Sequence, residues 1–537
     1  MSTPHRHWMD EFVDQLMEER GRRHVVESGT SISGPAHIGN ACDVILAEAV
    51  KQVVEERGGE ASSIWVADDL DPLDSVPYPV DPARFNRYLG MPYVDIPDPY
   101  GCCRSWAEHF INDFLDSMEK LGLKPIFKSG ASMYRDGTYL PFIRRALEAA
   151  GEIRRIFAEV SGAKKPAEWL PYMPICERCG RVSTTLAYAY EGDRVAYRCV
   201  LDVGYAKGCG HEDEVDVKEG RGKLQWRVEW AARWAAFKVT VEPFGKEHAA
   251  AGGSYDTSKV IVEEVFNQPA PTPLVYEHVM IGGRKMSKSK GLVFTPRDWF
   301  EVAPPETLKF FFFRVYPTKH KDFTAESIPR IVGEYDRAER IYYGVEAAGD
   351  EKVAALLKRS YELSQSRPPP PTMPAQLPYD FAAALLQIYP DLTAERALEI
   401  MARTGHLKRP PTDVDLARVE ARLSQVKAWL SKYAPPSAKI ELVEDPSKAA
   451  SQLSPSQREA LRAAAQLLKS RRDWSPSELN NAFFELARRM GLKPPEFFEA
   501  AYLALLGRRS GPWLANFTLA LGVDEVAERF LKASGLG

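Results

Sequence analysis

The sequence predicts an α/β protein: a doubly wound parallel sheet carrying a thiol-rich insertion, followed by an all-α C-terminal region. Three observations predict it. An apolar run at 24–27 meets a Gly/Ser turn and then a helical pattern, the repeating unit of an open parallel sheet. Four cysteines fall between 176 and 209, among short β-like runs and frequent turns. Beyond the prolines at 368–371 the chain reads as helices opened by Ser-Pro pairs and joined by short loops.

The totals bound the function. A length of 537 residues suggests three or four domains, each with its own core. The net charge of −4 excludes a wholly basic nucleic-acid binder, so any RNA contact must come from local patches. No apolar run reaches membrane-spanning length and the N-terminus lacks a signal-peptide core, which predicts a cytoplasmic protein without membrane contact. No long heptad seam is present, so a monomer is expected. Seven cysteines, four of them clustered, favour metal chemistry over disulfides, and the adjacent Cys102 and Cys103 read as packed or inert.

Taken in order, Trp8, Phe12, Leu16 and Met17 share one face of a docking helix. The strand at 24–27 leads through Ser28-Gly29-Thr30-Ser31-Ile32-Ser33-Gly34-Pro35-Ala36 into a helix whose apolar positions include Ile38, Cys42, Ile45, Leu46, Ala49, Val50 and Val53. Such a turn aims backbone N–H groups and the positive end of a helix dipole at a phosphate. His37 and Asn40, three residues apart around Gly39, would face the same ligand. The next apolar run ends in Asp68, Asp69 and Asp71, carboxylates suited to a cationic side chain at the carboxyl end of a strand. Helices follow at 106–121 and 139–160, the second bearing Arg144, Arg145, Arg154 and Arg155, either an RNA-tracking row or a solvated face.

Cys176-x-x-Cys179, then Cys199 and Cys209, can supply four thiolates to a structural Zn²⁺, with His211 as a substitute for one. Past 221 come Trp226, Glu229 and Trp230, a strand at 239–244, His248, and a second Gly-rich turn with Gly252, Gly253 and Asp256. A last strand at 275–281, carrying Tyr276, delivers the cationic loop Lys285-Met286-Ser287-Lys288-Ser289-Lys290.

The run ending Gly-Pro-Ala-His-Ile-Gly-Asn and the Lys-Met-Ser-Lys-Ser loop resemble the two signatures of class I aminoacyl-tRNA synthetases. With Asp-Asp-Leu-Asp-Pro, Trp-Arg-Val-Glu-Trp and Gly-Lys-Glu-His before Gly-Gly-Ser-Tyr-Asp-Thr, the chain resembles the class I lysyl-tRNA synthetases found mainly in archaea. Asn40 stands where class I enzymes generally have a second His, as is usual for this subgroup; it donates a hydrogen bond but carries no proton. The resemblance implies a Rossmann-type catalytic domain that activates L-lysine with ATP and Mg²⁺ and charges tRNA(Lys) on its terminal 2′-hydroxyl. It implies catalytic roles for His37, Asn40, Lys285 and Lys288. ATP would be held by these together with Gly34, Pro35, Gly39, His248, Gly252, Gly253, Asp256, Met286, Ser287 and Ser289. Lysine would meet Gly29, Thr30, Asp69, Asp71, Trp226, Glu229, Trp230 and Tyr276.

The implied domains are two catalytic halves at 1–160 and 221–283 around a zinc-binding insertion at 161–220. A lysine-loop and stem-contact connector spans 284–340, a helix and Pro-rich linker 341–380, and an anticodon-binding helical region 381–537. There Arg471, Arg472, Arg508 and Arg509 are expected at tRNA phosphates, with Trp474, Phe483 and Trp513 available to stack on bases. The rival readings are a glutamate-type class I synthetase, a nucleotidylyltransferase and a noncatalytic tRNA-binding paralogue.

Overall fold

Five strands form one parallel sheet in the order Thr272–Tyr276, Val241–Gly245, Arg23–Ser31, Glu60–Asp68, Ile126–Ser129. The computed structural model describes residues 6–286 and 291–535. The chain divides into two units, one of residues 1–299, 308–324 and 348–368, the other of 300–307, 325–347 and 369–537.

In the first unit the chain starts its sheet at Arg23–Ser31, adds strands to one side, then returns to the other side with Val241–Gly245. The winding reverses between these two strands, and such a reversal opens a crevice at their carboxyl ends. Helix Ile38–Glu56 packs on the sheet with Cys42, Ile45, Leu46, Ala49, Val50 and Val53 buried, as the periodicity predicts. The insertion is a small antiparallel sheet of Thr185–Glu191, Arg194–Cys199 and Glu212–Asp216.

Two elements differ from expectation. The single strand expected at 275–281 is broken: Thr272–Tyr276 edges the main sheet, whereas Val279–Ile281 pairs with Lys321–Phe323 and Arg284–Lys285. The break falls where the Glu277 N–H leaves the ladder to donate to the Pro317 carbonyl at 2.9 Å. The helix expected at 139–160 is two, Leu140–Glu148 and Ala150–Ser161, separated where Ala149 leaves helical geometry (φ −90°, ψ 17°).

The second unit is helical. The Ser-Pro starts at 454 and 475 both form capping boxes, closed by Gln457 and Glu478. Helices Pro455–Ser470, Pro476–Arg489, Pro494–Leu506, Leu514–Leu521 and Val523–Ala533 share one apolar core. A buried Arg422–Asp336 pair (3.1 Å) ties Asp413–Lys432 to Ile328–Tyr342. Among the described residues no helix is long and apolar enough to cross a membrane.

Candidate active site

A cavity of about 370 Å³ opens at the carboxyl ends of the central strands. Of the residues expected at a substrate, Gly29, Thr30, His37, Gly39, Asn40, Asp71, Trp226, Trp230, His248, Tyr276, Lys285 and Met286 line it. Gly34, Pro35, Asp69, Glu229, Gly252, Gly253 and Asp256 do not. Ser287, Lys288 and Ser289 lie outside the described residues.

His37 and Asn40 cap the helix they begin. His37 Nδ1 accepts from the Asn40 N–H at 3.3 Å, and Asn40 Oδ1 accepts from the His37 N–H at 3.1 Å. With Nδ1 accepting, a neutral His37 ring carries its proton on Nε2, a donor suited to an anionic oxygen. Gly39 is required beside it, because a Cβ there would sit 2.8 Å from the imidazole. Burial lowers the His248 pKa, which keeps that imidazole uncharged at neutral pH. Lys285 Nζ stands 3.6 Å from Glu247 Oε1.

The cavity floor holds charges that no local pattern announces. Arg233, fully buried, pairs with Asp68 and with Glu27 (3.3 Å). It approaches the backbone so closely that a Cβ at Gly29 would lie 2.8 Å from its guanidinium. Lys223, 3% exposed, pairs with Asp71 and with Glu229 at 2.6 Å. Glu242 accepts the indole N–H groups of Trp230 (2.9 Å) and Trp234. Trp230 also stacks on Trp226, with centroids 5.1 Å apart.

Four buried carboxylates, those of Glu27, Asp68, Glu229 and Glu242, together with the half-buried Asp71, thus surround two cations. Burial, partly opposed by Arg233, pushes Glu27 up to about 7, and burial together with Glu27 raises Glu242 well above the usual carboxylate range. The acids expected at a cationic substrate are therefore already engaged or off the wall. Lys223 holds Asp71 and Glu229, while Asp69 accepts from Ser129 Oγ (2.5 Å) and the Ala131 N–H (2.7 Å). Tyr276 donates to Asp43. Asp256 accepts from the Gly252 N–H at 2.9 Å, closing its own turn.

The thiols of Cys176, Cys179, Cys199 and Cys209 converge, with Sγ–Sγ separations of 3.7 Å (Cys176–Cys209) and 3.6 Å (Cys179–Cys199). Tetrahedral Zn²⁺ with bonds of about 2.3 Å sets an S–S edge of about 3.8 Å, so the donor set fits. His211 is not among them and pairs with Asp213 at 3.2 Å. A second group, unforeseen, brings together Asp98, Cys102, Cys103 and His109. Its Cys102–Cys103 edge is 3.7 Å and its His109–Asp98 edge 3.4 Å, again tetrahedral spacings. Asp98 is oriented by the N–H groups of Tyr100, Cys102 and Cys103.

The arginines expected at RNA hold protein partners. Arg144, Arg145, Arg154 and Arg155 bond Asp193, the Val265 carbonyl, the Trp169 carbonyl and Glu159 respectively. Arg471 pairs with Asp473 and Glu478, Arg472 with Asp524, and Arg509 with Glu499. Arg508 donates to the carbonyls of Ser437 and Lys439. Of the aromatics, Phe483 is in the core and Trp474 lies under the Arg471 guanidinium (4.9 Å), whereas Trp513 is half exposed.

A family model described as tRNA synthetases class I (K) matches residues 6–367, and one described as an anticodon binding domain matches 417–534. A lysine–tRNA ligase of Methanosphaera stadtmanae is 40% identical over 535 residues, covering 98% of this chain and 99% of its own. Those of Methanocaldococcus jannaschii (36%) and Archaeoglobus fulgidus (37%) each cover 98% of this chain, and 99% and 100% of their own. A solved glutamate tRNA ligase of Elizabethkingia meningosepticum, at 14% identity and a TM-score of 0.39 over 95% of this chain and 99% of that one, is too distant to carry an argument. Matched by the family model over most of its length and aligned end to end with these relatives, the chain belongs to the class I (K) tRNA synthetases.

Proposed function

We propose that this chain is a lysine–tRNA ligase: it activates L-lysine with ATP and transfers the lysyl group to the 2′-hydroxyl of the terminal adenosine of tRNA(Lys). The observation that carries the reading is the acid-rich, indole-walled floor beneath a phosphate-suited turn. An ammonium wants both a carboxylate and an aromatic face. Glu242 is the carboxylate we assign to the substrate ε-ammonium, with Trp226, Trp230 and Tyr276 as walls. A glutamate-type site would instead present an arginine to the substrate, and the buried Arg233 of this cavity is committed to Asp68 and Glu27.

In the first step the lysine carboxylate attacks the α-phosphorus in line, the bond to the β-phosphate oxygen breaks, and pyrophosphate leaves. No protein nucleophile is needed, so the residues act by position and charge. His37 Nε2–H and the Asn40 amide hold phosphate oxygens, and Lys285 with Lys288 offsets the charge developing on the leaving pyrophosphate. Mg²⁺ bound together with ATP would neutralise part of the triphosphate charge. In the second step the tRNA 2′-hydroxyl attacks the adenylate carbonyl and AMP leaves.

Zn²⁺ in the Cys176–Cys179–Cys199–Cys209 set, and in the Asp98–Cys102–Cys103–His109 set, orders loops and takes no part in the reaction: four protein donors leave no position for water. The domain roles are two catalytic halves at 1–160 and 221–283 with the zinc-binding insertion at 161–220 between them, a connector at 284–340, a linker at 341–380 and an RNA-binding region at 381–537. Arg471, Arg472 and Arg509 exchange their exposed ion pairs, weak in water, for tRNA phosphates. The enzyme is a cytoplasmic monomer.

Pyrophosphate exchange measured with each amino acid in turn tests the reading. Lysine alone should support it; exchange with glutamate and not lysine would overturn it.

A further inference from the structure

A loop in the first unit brings Asp98, Cys102, Cys103 and His109 together. Its two thiols belong to adjacent residues, with Sγ atoms 3.7 Å apart, and His109 Nδ1 lies 3.1 Å from Cys102 Sγ. Cys102 is exposed and Cys103 half-buried. In the insertion, by contrast, Cys176 and Cys199 are buried, and none of the four thiols has a neighbour in sequence among the others. Held by a metal, Cys102 and Cys103 are both thiolates, because ligation displaces the thiol proton. Thiolate character, access to solvent and a second sulfur alongside are the properties that open a cysteine pair to peroxides.

The same loop supports the turn that leads into the phosphate-suited helix. Trp106 sits between the ligands, three residues after Cys103 and three before His109. It is buried against Phe85 and Phe110, and its indole N–H donates to the Ile32 carbonyl at 3.0 Å. Its backbone N–H donates to the Ile96 carbonyl at 2.8 Å, which closes the stretch around Asp98. On the approach to that stretch, the Tyr93 hydroxyl lies 3.4 Å from Ser31 Oγ. Ser31 and Ile32 run through Gly34, Pro35 and Ala36 straight into His37. The metal ligands thus reach the signature turn through one buried indole and its hydrogen bond.

We propose that the Cys102–Cys103 pair is an oxidation site for hydroperoxides, and that its oxidation releases the metal and loosens the turn that holds ATP. The inference rests on the readings that this set holds Zn²⁺ and that the His37–Asn40 turn holds ATP. The Cys102 sulfur attacks the O–O bond of hydrogen peroxide and takes one oxygen as a sulfenic acid, and hydroxide leaves. The Cys103 thiolate then attacks that sulfur, the S–O bond breaks, and a second hydroxide leaves as the disulfide forms. The two thiolates lose two electrons, and the peroxide becomes two hydroxide ions. Asp98 and His109 remain, two donors where a closed site needs four. Adjacent Cα atoms lie about 3.8 Å apart, less than most disulfides span, so the new bond is strained and thiols readily reduce it. Without the ion the loop from Asp98 to His109 loses its closure, and the Trp106 bond to Ile32 loses its support.

The test treats the full-length, zinc-loaded protein with hydrogen peroxide in thiol-free buffer. A chromogenic chelator reads released Zn²⁺, and mass spectrometry follows the peptide that contains both cysteines. One of the two ions should leave in step with the loss of two hydrogens from that peptide, and dithiothreitol with added Zn²⁺ should restore both. The KM for ATP in pyrophosphate exchange should rise about 2- to 10-fold, the range of one lost hydrogen bond. Trp106→Phe, which keeps a ring but has no indole N–H, should show the same rise without peroxide. Cys103→His keeps four donors and cannot form the disulfide, so its ion should stay bound under peroxide. Release from the wild type no faster than from Cys103→His would overturn the proposal, as would oxidation confined to the Cys176 set or an unmoved ATP KM after release. Equal zinc content in the untreated wild type and Asp98→Ala would instead sink the metal reading, and absence of lysine-dependent exchange the ligase reading.

Discussion

Replacing Glu242 with Gln removes, among the described residues, the one group of the cavity floor that can ionise against an incoming ammonium without already holding a cation. The side chain keeps its length, and its remaining carbonyl oxygen can still accept from the Trp230 and Trp234 indoles that hold the carboxylate. What disappears is a buried carboxyl facing the cavity, held uncharged by burial and able to ionise only when an ammonium arrives beside it. A hydrogen bond to a charged group contributes about 1.5–3 kcal/mol. At 1.4 kcal/mol per tenfold, kcat/KM for lysine should fall about 10- to 150-fold. The KM for ATP should be unchanged, because the groups proposed for the nucleotide lie on the His37–Asn40 turn. Steady-state pyrophosphate exchange, varying each substrate separately, is the assay. Proton linkage gives a second readout. Glu27, pushed up to about 7, becomes ionised as pH rises through that value, and with it the floor grows more attractive to an ammonium. The wild-type KM for lysine should therefore fall as pH rises through about 7 and climb below it. An unaltered lysine KM in Glu242→Gln, or equal losses for lysine and ATP, would refute the assignment.

Three further outcomes are expected. Lys285→Ala or Lys288→Ala should lower adenylate formation by about 10²–10³-fold, as loss of one preorganised charge contact does, with no change in melting temperature. Metal analysis should find two Zn²⁺ per chain, with Cys176→Ser losing one and Asp98→Ala the other; chelation should lower the melting temperature of the wild type. Lys223→Met leaves Glu229 buried without its partner, which should cost about 3–5 kcal/mol in urea unfolding at neutral pH. Because the unpaired Glu229, its pKa already raised by burial, takes up a proton as pH is lowered, that deficit should then shrink.

The elements legible in the sequence were those whose cause is local. The turn before Ile38 was readable because small residues and a three-to-four-residue apolar repeat state their geometry within twenty positions. The starts at Ser454 and Ser475 were readable because a capping box occupies only four residues. The floor of the cavity was not. Lys223 meets Asp71 across 152 positions and Arg233 meets Glu27 across 206, and nothing near either residue marks it as buried. Glu242 sits in an apolar strand where a lone acid reads as an edge residue; the tryptophans at 230 and 234 were the only hint that it had partners. The Asp98–His109 set escaped because its spacing matches no familiar zinc motif, so only folding reveals the convergence. At Glu277 a tertiary hydrogen bond overrode an unbroken apolar pattern.

The reciprocal bonds between His37 and Asn40 make the first turn of the longest helix in the catalytic unit self-latching. An incoming phosphate that draws either side chain toward itself loosens that latch, and one that leaves it closed finds both donors already aimed. On the role proposed for this turn, nucleotide capture and the ordering of a helix end would be one event at this position. Amide exchange at Gly39 and Asn40 would register arrival of the triphosphate before any chemistry begins.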